Sequence, residues 1–154
     1  MVKQGFHIGD SDWYVMCYYN VDISHNGEEL FETLVASGCD EHVARSAISV
    51  LENMNSGYTF SNLSERYSIV IVSKACCGEQ FYDTVQHELS HVVDHICESY
   101  DVSCHGEIAA HIQGEIARNM YEAVSIVVGD YSDDDVKHAV HTGSKYRVSM
   151  RCGK

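Results

Sequence analysis

A chain of 154 residues, of which 45% are hydrophobic and 21% charged, is typical of one globular domain with a single core. Its formal net charge of −13 argues against a nucleic-acid partner, because binding to a phosphate backbone needs a basic surface. No stretch approaches the roughly 18 apolar residues of a membrane span, and the first residues lack the apolar segment of a secretory signal. We therefore expect a single domain over residues 1–154, located in the cytoplasm, with no membrane partner.

The chain contains seven cysteines, an odd number, and none of them are spaced as Cys-x-x-Cys. Neither a disulfide framework nor a four-cysteine zinc site is expected from this arrangement. The pattern therefore indicates reduced thiols.

Apolar and β-branched runs predict strands, and helical spacing of apolar residues predicts helices. In chain order these are a strand at 13–20, a helix at 28–37 after a break at Asn26-Gly27, a helix from the capping Asp40 to about 54, a short strand at 58–61, a strand at 67–73, a helix at 79–97, a helix from 106 to about 124 and a short helix near 133–141.

The helix predicted at 79–97 carries the run His87-Glu88-Leu89-Ser90-His91. Histidines four residues apart lie one turn apart on the same helix face, so both imidazoles can reach one metal ion. Glu88 lies on the flank of that face, where its carboxylate can hold a metal-bound water. The apolar residues form a separate stripe that anchors the helix: Phe81, Val85, Leu89, Val92 and Ile96. This context favours a zinc site over a polar surface that happens to be rich in histidine.

A catalytic zinc site usually has three protein ligands, so His87 and His91 need a partner. If the chain reverses after the histidine helix, the next helix runs antiparallel to it. Glu107 is then level with His91, and His111 lies nearer to the level of His87. We predict Glu107 as the third ligand. His111 and Asp94 are the competing ligands; otherwise His111 supports a ligand from outside the metal's coordination sphere, and Asp94 accepts a hydrogen bond from a ligand imidazole.

The histidine motif is followed, at residues 106–114, by Gly-Glu-Ile-Ala-Ala-His-Ile-Gln-Gly. Together these segments resemble the gluzincin branch of the zinc metallopeptidases, in particular its minimal single-domain members from bacteria and bacteriophages. The resemblance covers roughly residues 10–125 and implies a zincin-like α+β fold. In that fold a small mixed sheet packs with an active-site helix and a following antiparallel helix. The roles that it implies are Zn²⁺ ligation by His87, His91 and Glu107, and general-base catalysis by Glu88.

The sequence departs from two related patterns. His111 stands four residues after the predicted ligand Glu107, where the larger gluzincins usually have an acidic residue. Asp94 and Cys97 stand where the metzincin pattern requires glycine and histidine, which excludes that branch.

We expect a zinc metallopeptidase that hydrolyses a peptide or protein substrate by a metal-activated water, with Glu88 as the general base. The candidate donors to the oxyanion are His95, His111 and Tyr100. The strand at 67–73 is expected to pair with an extended peptide along the edge of the cleft. The alternatives are a catalytically inactive zinc-binding interaction module and a chain without metal whose histidines are surface residues.

Overall fold

The computed structural model describes residues 1–131, which form an α+β fold of four strands and four helices. The strands are β1 (Val2–His7), β2 (Tyr14–Val21), β3 (Gly57–Asn62) and β4 (Tyr67–Ser73). The helices are α1 (Ile23–Ala36), α2 (Glu41–Leu51), α3 (Gly78–Ser99) and α4 (Glu107–Gly129). The fold class predicted from the sequence is thereby confirmed, and the histidine motif lies in α3.

The four strands form one mixed sheet in the order β1-β2-β4-β3. β2 and β4 run parallel, which the long connection through α1 and α2 allows, and β1 and β3 pair antiparallel at the two edges. β4 is therefore an interior strand. The prediction that residues 67–73 line the cleft and pair with a peptide is wrong, because both edges of that strand are already hydrogen-bonded. The edge strand that packs against α3 is β3.

Each face of the sheet carries its own hydrophobic core. Val70 and Val72 of β4 face α3 and α4, whereas Ile69 and Ile71 face α1 and α2. Because both of its faces are covered, β4 is apolar along most of its length and buried from its second residue onward. The long helices with the histidine motif thus share one side of the sheet.

The two shorter helices begin at aspartate caps. α2 begins as predicted, because the Asp40 carboxylate accepts hydrogen bonds from two backbone N–H groups of the first turn, at 2.9 and 3.2 Å. α1 begins at Ile23 rather than at residue 28, since Asp22 caps it. Gly27, predicted to break the chain, is buried inside α1. The cap therefore decides the start of α1, and the glycine does not.

β1 is a strand that the sequence pattern does not reveal. Its residues are half-buried and exposed in alternation, and polar side chains interrupt the apolar pattern by which a strand is identified. Gln4 fastens it to the rest of the molecule by donating to the backbone carbonyl of Asn119 at 2.6 Å and accepting from the Tyr19 hydroxyl at 3.0 Å. These contacts are tertiary, which is why the sequence alone misses the strand.

The short helix predicted near 133–141 lies outside the described residues. Within residues 1–131, none of the helices combines the length and the apolar run needed to cross a bilayer. All six cysteines in this range are free thiols, as the sequence predicts for them.

Alkylation of the folded protein should distinguish the exposed cysteines among these six from the buried ones. Cys76 and Cys104 are exposed and the other four are buried, and burial raises the pKa of Cys17 to about 12. Because the thiolate is the reacting form, we expect iodoacetamide to modify Cys76 and Cys104 in the folded protein and the buried thiols only after denaturation. Peptide mass mapping measures this. Rapid native modification of Cys17, or a disulfide-linked peptide, would contradict the arrangement.

Candidate metal centre

Helix α3 anchors one stripe in the core and leaves its two motif histidines at the surface. The five residues of the predicted apolar stripe are each 3% exposed or less: Phe81, Val85, Leu89, Val92 and Ile96. His87 and His91 are exposed, whereas Glu88, between them in sequence, is only 4% exposed. The helix therefore presents two imidazoles to solvent and turns the intervening carboxylate toward the sheet.

The two histidines converge on one point. Their Nε2 atoms are 3.2 Å apart, and their rings meet at an interplanar angle of 80°. Two imidazoles bound tetrahedrally to zinc, at Zn–N distances of about 2 Å, place their nitrogens roughly 3.3 Å apart. One ring nitrogen of each histidine and a carboxylate oxygen of Glu88 all lie within 4.8 Å of one another. His87, Glu88 and His91, named here the motif cluster, thus fit a bound metal ion.

The edge strand β3 holds the Glu88 carboxylate in place. Thr59 donates its hydroxyl hydrogen to Glu88 Oε2 at 2.6 Å. Gly57 leaves the space that the side chain occupies, since a Cβ at this position would lie 2.5 Å from Glu88 Cγ and 2.6 Å from Oε1. The buried carboxylate is therefore positioned by one hydrogen bond and by close contact with a glycine.

The face of β3 that meets α3 is built from small and hydroxyl residues. Alternate residues of a strand share a face, and on this face they are Gly57, Thr59 and Ser61. The intervening Tyr58 and Phe60 pack into the core on the α1 and α2 side. Sequence reasoning found the strand and missed this role. The Gly-x-Thr-x-Ser alternation is the signal that could have revealed it, because a buried sheet face otherwise carries apolar residues.

His95, one helical turn beyond His91, is tied to the sheet by a chain of hydrogen bonds. His95 Nδ1 lies 2.8 Å from Ser61 Oγ, which lies 2.7 Å from Ser68 Oγ, and Trp13 Nε1 donates to Ser68 Oγ at 3.0 Å. The rings of His91 and His95 are stacked with centroids 6.4 Å apart. Burial lowers the pKa of His95 below its usual value, which favours the neutral ring.

Glu107, the predicted third ligand, is the first residue of α4 and lies outside the motif cluster. Its side chain is 94% exposed, and its Oε2 lies 4.0 Å from Nε2 of His111, which is 85% exposed. α4 does run antiparallel to α3, and a pocket of about 260 Å³ between them is lined by Ser90 and Asp94 together with the beginning of α4. The structure does not bring Glu107 to the two histidines, so its ligand role stays a prediction, as do those of His111 and Asp94.

Tyr100, a predicted oxyanion donor, is engaged at the far end of α3. Its hydroxyl donates to Asp12 Oδ1 at 2.9 Å, and its ring centroid lies 4.5 Å from the Arg66 guanidinium carbon. The hydrogen bonds from Arg66 and Tyr100 hold the pKa of the Asp12 carboxyl below its usual value. Nine residues, or about 13 Å of helix, separate Tyr100 from His91. Tyr100 therefore belongs to a separate surface cluster.

An open cleft lies beside the motif cluster. It has a volume of about 340 Å³ and is lined by the segment leading into β3 and by α3: Asn55, Ser56, Gly57, Asp83, Thr84, His87 and Glu88. A larger cavity of about 620 Å³ between α3 and α4 is mostly apolar, and no His, Cys, Asp or Glu of residues 1–131 lines it. Of the two, only the smaller cleft is lined by groups that can bind a metal ion and transfer protons.

Comparison of the chain with protein-family models, with curated proteins and with solved structures finds no match. The gluzincin resemblance therefore rests on the motif residues themselves. The α+β architecture is compatible with a zincin-like fold, and a His-Glu-His cluster that could bind a metal ion is present in α3.

Gly57→Ala should destabilise the protein, because the added methyl group would overlap Glu88 Cγ at 2.5 Å and force β3 and α3 apart. Overpacking of this kind costs roughly 1–3 kcal/mol. The free energy of unfolding from urea denaturation measures the effect. In a Glu88→Ala background the overlapping atoms are gone, so the same glycine substitution should then cost much less.

Gly114→Ala is the matched control, since Gly114 lies within α4 and an added Cβ there meets no atom of residues 1–131 within 4 Å. Alanine is favoured over glycine in a helix interior by about 1 kcal/mol, so this variant should be at least as stable as the wild type. If Gly57→Ala matched the wild type in stability, Glu88 would not lie against β3.

Proposed function

We propose that the protein is a zinc-dependent peptidase in which His87 and His91 bind the metal and Glu88 is the general base. The observation that supports this most directly is the convergence of one ring nitrogen from each histidine and a Glu88 carboxylate oxygen within 4.8 Å of one another, beside an open cleft. Imidazole nitrogen and carboxylate oxygen are usual zinc ligands, and catalytic zinc sites keep one position for water or substrate. The donor set and the neighbouring cleft together suit hydrolysis.

Glu107 is our proposed third ligand. It begins α4, and its side chain is 94% exposed, so it makes few contacts that would be lost if the side chain turned toward an ion. His111, with its Nε2 already 4.0 Å from that carboxylate, would then be able to hydrogen-bond to the ligand oxygen that does not face the metal. His111 and Asp94 remain the competing ligands.

Zinc held by these residues would supply Lewis acidity toward a water molecule and the scissile carbonyl. Glu88 accepts the proton of the attacking water and delivers it to the leaving amine. Thr59 already donates to Oε2, whereas Oε1 has no hydrogen-bond partner among residues 1–131 and is not sealed from solvent. Oε1 is therefore the oxygen available for proton transfer, and its orientation is set before substrate binds.

The substrate is proposed to be an extended peptide that adds to the outer edge of β3, which pairs with no strand among residues 1–131. This edge strand lies beside the motif cluster, and backbone hydrogen bonds to it would place a peptide along the cleft. The formal net charge of −13 favours basic peptides over acidic ones.

A catalytically inactive metal-binding interaction module is the second candidate. It is favoured by the fact that, within residues 1–131, two histidines and one glutamate converge while Glu107 lies apart. Such a module would bind zinc and cleave no peptide in a broad substrate panel.

His91→Ala and Glu107→Ala are expected to lose bound zinc, because each removes a proposed ligand, whereas the wild type should hold about one zinc per chain. Elemental mass spectrometry of the purified proteins measures the metal content directly.

His42→Ala and Glu122→Ala are the matched controls, since both residues are exposed on helices and lie outside the motif cluster. Both should retain zinc. Zinc lost in His91→Ala and kept in Glu107→Ala would move the third ligand to His111 or Asp94. A wild-type protein that takes up no zinc on incubation would rule out the site.

Glu88→Gln should keep zinc and lose about 10²–10⁴-fold in kcat/KM, the usual range for removing a general base. Thr59→Val should cause a smaller loss of kcat/KM, because it removes the hydrogen bond that orients the Glu88 carboxylate but keeps the carboxylate itself. Thr33→Val, on α1, is the control for a threonine hydroxyl far from the cleft. The assay is peptide-library cleavage followed by kinetics on the best substrate. Full activity of zinc-loaded Glu88→Gln would assign the base to another group.

A further inference from the structure

The hydrogen-bond chain from Trp13 to His95 crosses from the core to the exposed side of α3. Trp13 is 0% exposed, Ser68 of β4 and Ser61 of β3 are paired neighbours in the sheet, and His95 is half-buried. A line of hydroxyl groups beside the buried apolar residues of β2 and β4 is costly unless each hydrogen has an acceptor. The direction of each hydrogen bond in this line can therefore be deduced.

The indole N–H of Trp13 can only donate, so Ser68 Oγ is the acceptor. Ser68 is 0% exposed, and its only other side-chain partner within residues 1–131 is Ser61. If Ser68 did not donate to Ser61, its hydroxyl hydrogen would be buried without an acceptor, at a cost of about 1–3 kcal/mol. Ser68 therefore donates to Ser61. The Ser61 hydrogen is then directed at His95 Nδ1, 2.8 Å away.

We infer that Trp13, Ser68 and Ser61 hold His95 in its Nε2–H tautomer, so that His95 presents a hydrogen-bond donor directed away from β3, one turn beyond His91. This nitrogen has no hydrogen-bond partner among residues 1–131, and no side-chain nitrogen of that range is both buried and without a partner, so it is open to solvent and to a ligand. If the proposed peptidase function holds, on which this part of the inference rests, the donor stabilises the substrate carbonyl oxygen as it gains negative charge.

The other two candidates for this role are less suited to it. The Tyr100 hydroxyl already donates to Asp12. The His111 side chain is 85% exposed and its Nε2 lies 4.0 Å from Glu107, and no hydrogen bond within residues 1–131 fixes its tautomer or its orientation. Of the three, His95 is the one whose ring is oriented by a chain of hydrogen bonds from the core. A donor that is oriented before the substrate binds lowers the activation barrier most effectively.

The deciding experiment is a long-range ¹H–¹⁵N correlation spectrum of the histidine rings, recorded without zinc at a pH above the ordinary histidine pKa of about 6.5. His95→Gln assigns the His95 signals by their loss. We expect the Nε2–H pattern for His95 in the wild type, a shift toward mixed tautomers in Ser61→Ala, and recovery in Ser61→Thr, which restores the hydroxyl. Ser64→Ala, on an exposed turn, is the control and should leave His95 unchanged. An Nδ1–H pattern in the wild type, or no response to Ser61→Ala, would overturn the inference.

Kinetics then test the donor in the reaction. His95→Leu should keep zinc and lose about 10²–10³-fold in kcat, as expected for a missing oxyanion donor, and His95→Gln should retain part of that rate through its amide N–H. Undiminished kcat in zinc-loaded His95→Leu would remove His95 from the mechanism and leave the peptidase assignment standing. A wild-type protein that binds zinc and cleaves nothing would refute the peptidase, while the tautomer would still be decided by the spectrum.

Discussion

The contact between α3 and β3 is the constraint on which the candidate site depends. Glu88 is almost fully buried where the helix crosses the edge strand, and it fits only because Gly57 has no side chain. The hydroxyl of Thr59 supplies the hydrogen bond that a buried carboxylate requires. With Glu88 turned inward, the two flanking histidines are left on the exposed side of the helix. One packing contact thus turns the proposed base toward the sheet and leaves the proposed ligands exposed, only a few ångströms away.

The hydroxyl groups on this face of the sheet reduce apolar packing in the core and orient the side chains of the candidate site. Hydroxyl groups occupy positions on the sheet face where apolar residues would bury more surface, and each needs a partner to avoid a penalty. In return they fix the Glu88 carboxylate and the His95 ring before any ligand arrives. The apolar stripe of α3 and the covered interior strand β4 supply the rigidity that lets these polar groups remain in place.

The proposed third ligand obeys a different constraint. The spacing of His87 and His91 is internal to one helix, so it survives any change in how helices pack. Glu107 belongs to the next helix, and its distance from the histidines depends on the turn between α3 and α4 and on the side-chain rotamer. In the structure that carboxylate is solvent-exposed and near His111. A metal ion that draws both helices' groups together would therefore also fix their relative position.

The sequence by itself determined what is local. Helical spacing revealed α3, its buried stripe and the paired histidines, and Asp40 revealed the start of α2, because these features depend on residues within one or two turns. It also determined the α+β class. Only the tertiary structure decided that β3 and not β4 borders the cleft, since strand order depends on which strands pair. It alone joined Thr59 to Glu88, 29 residues apart, and Trp13 to Ser68, 55 apart. Such contacts leave no periodic trace in the sequence, because each depends on how distant elements pack.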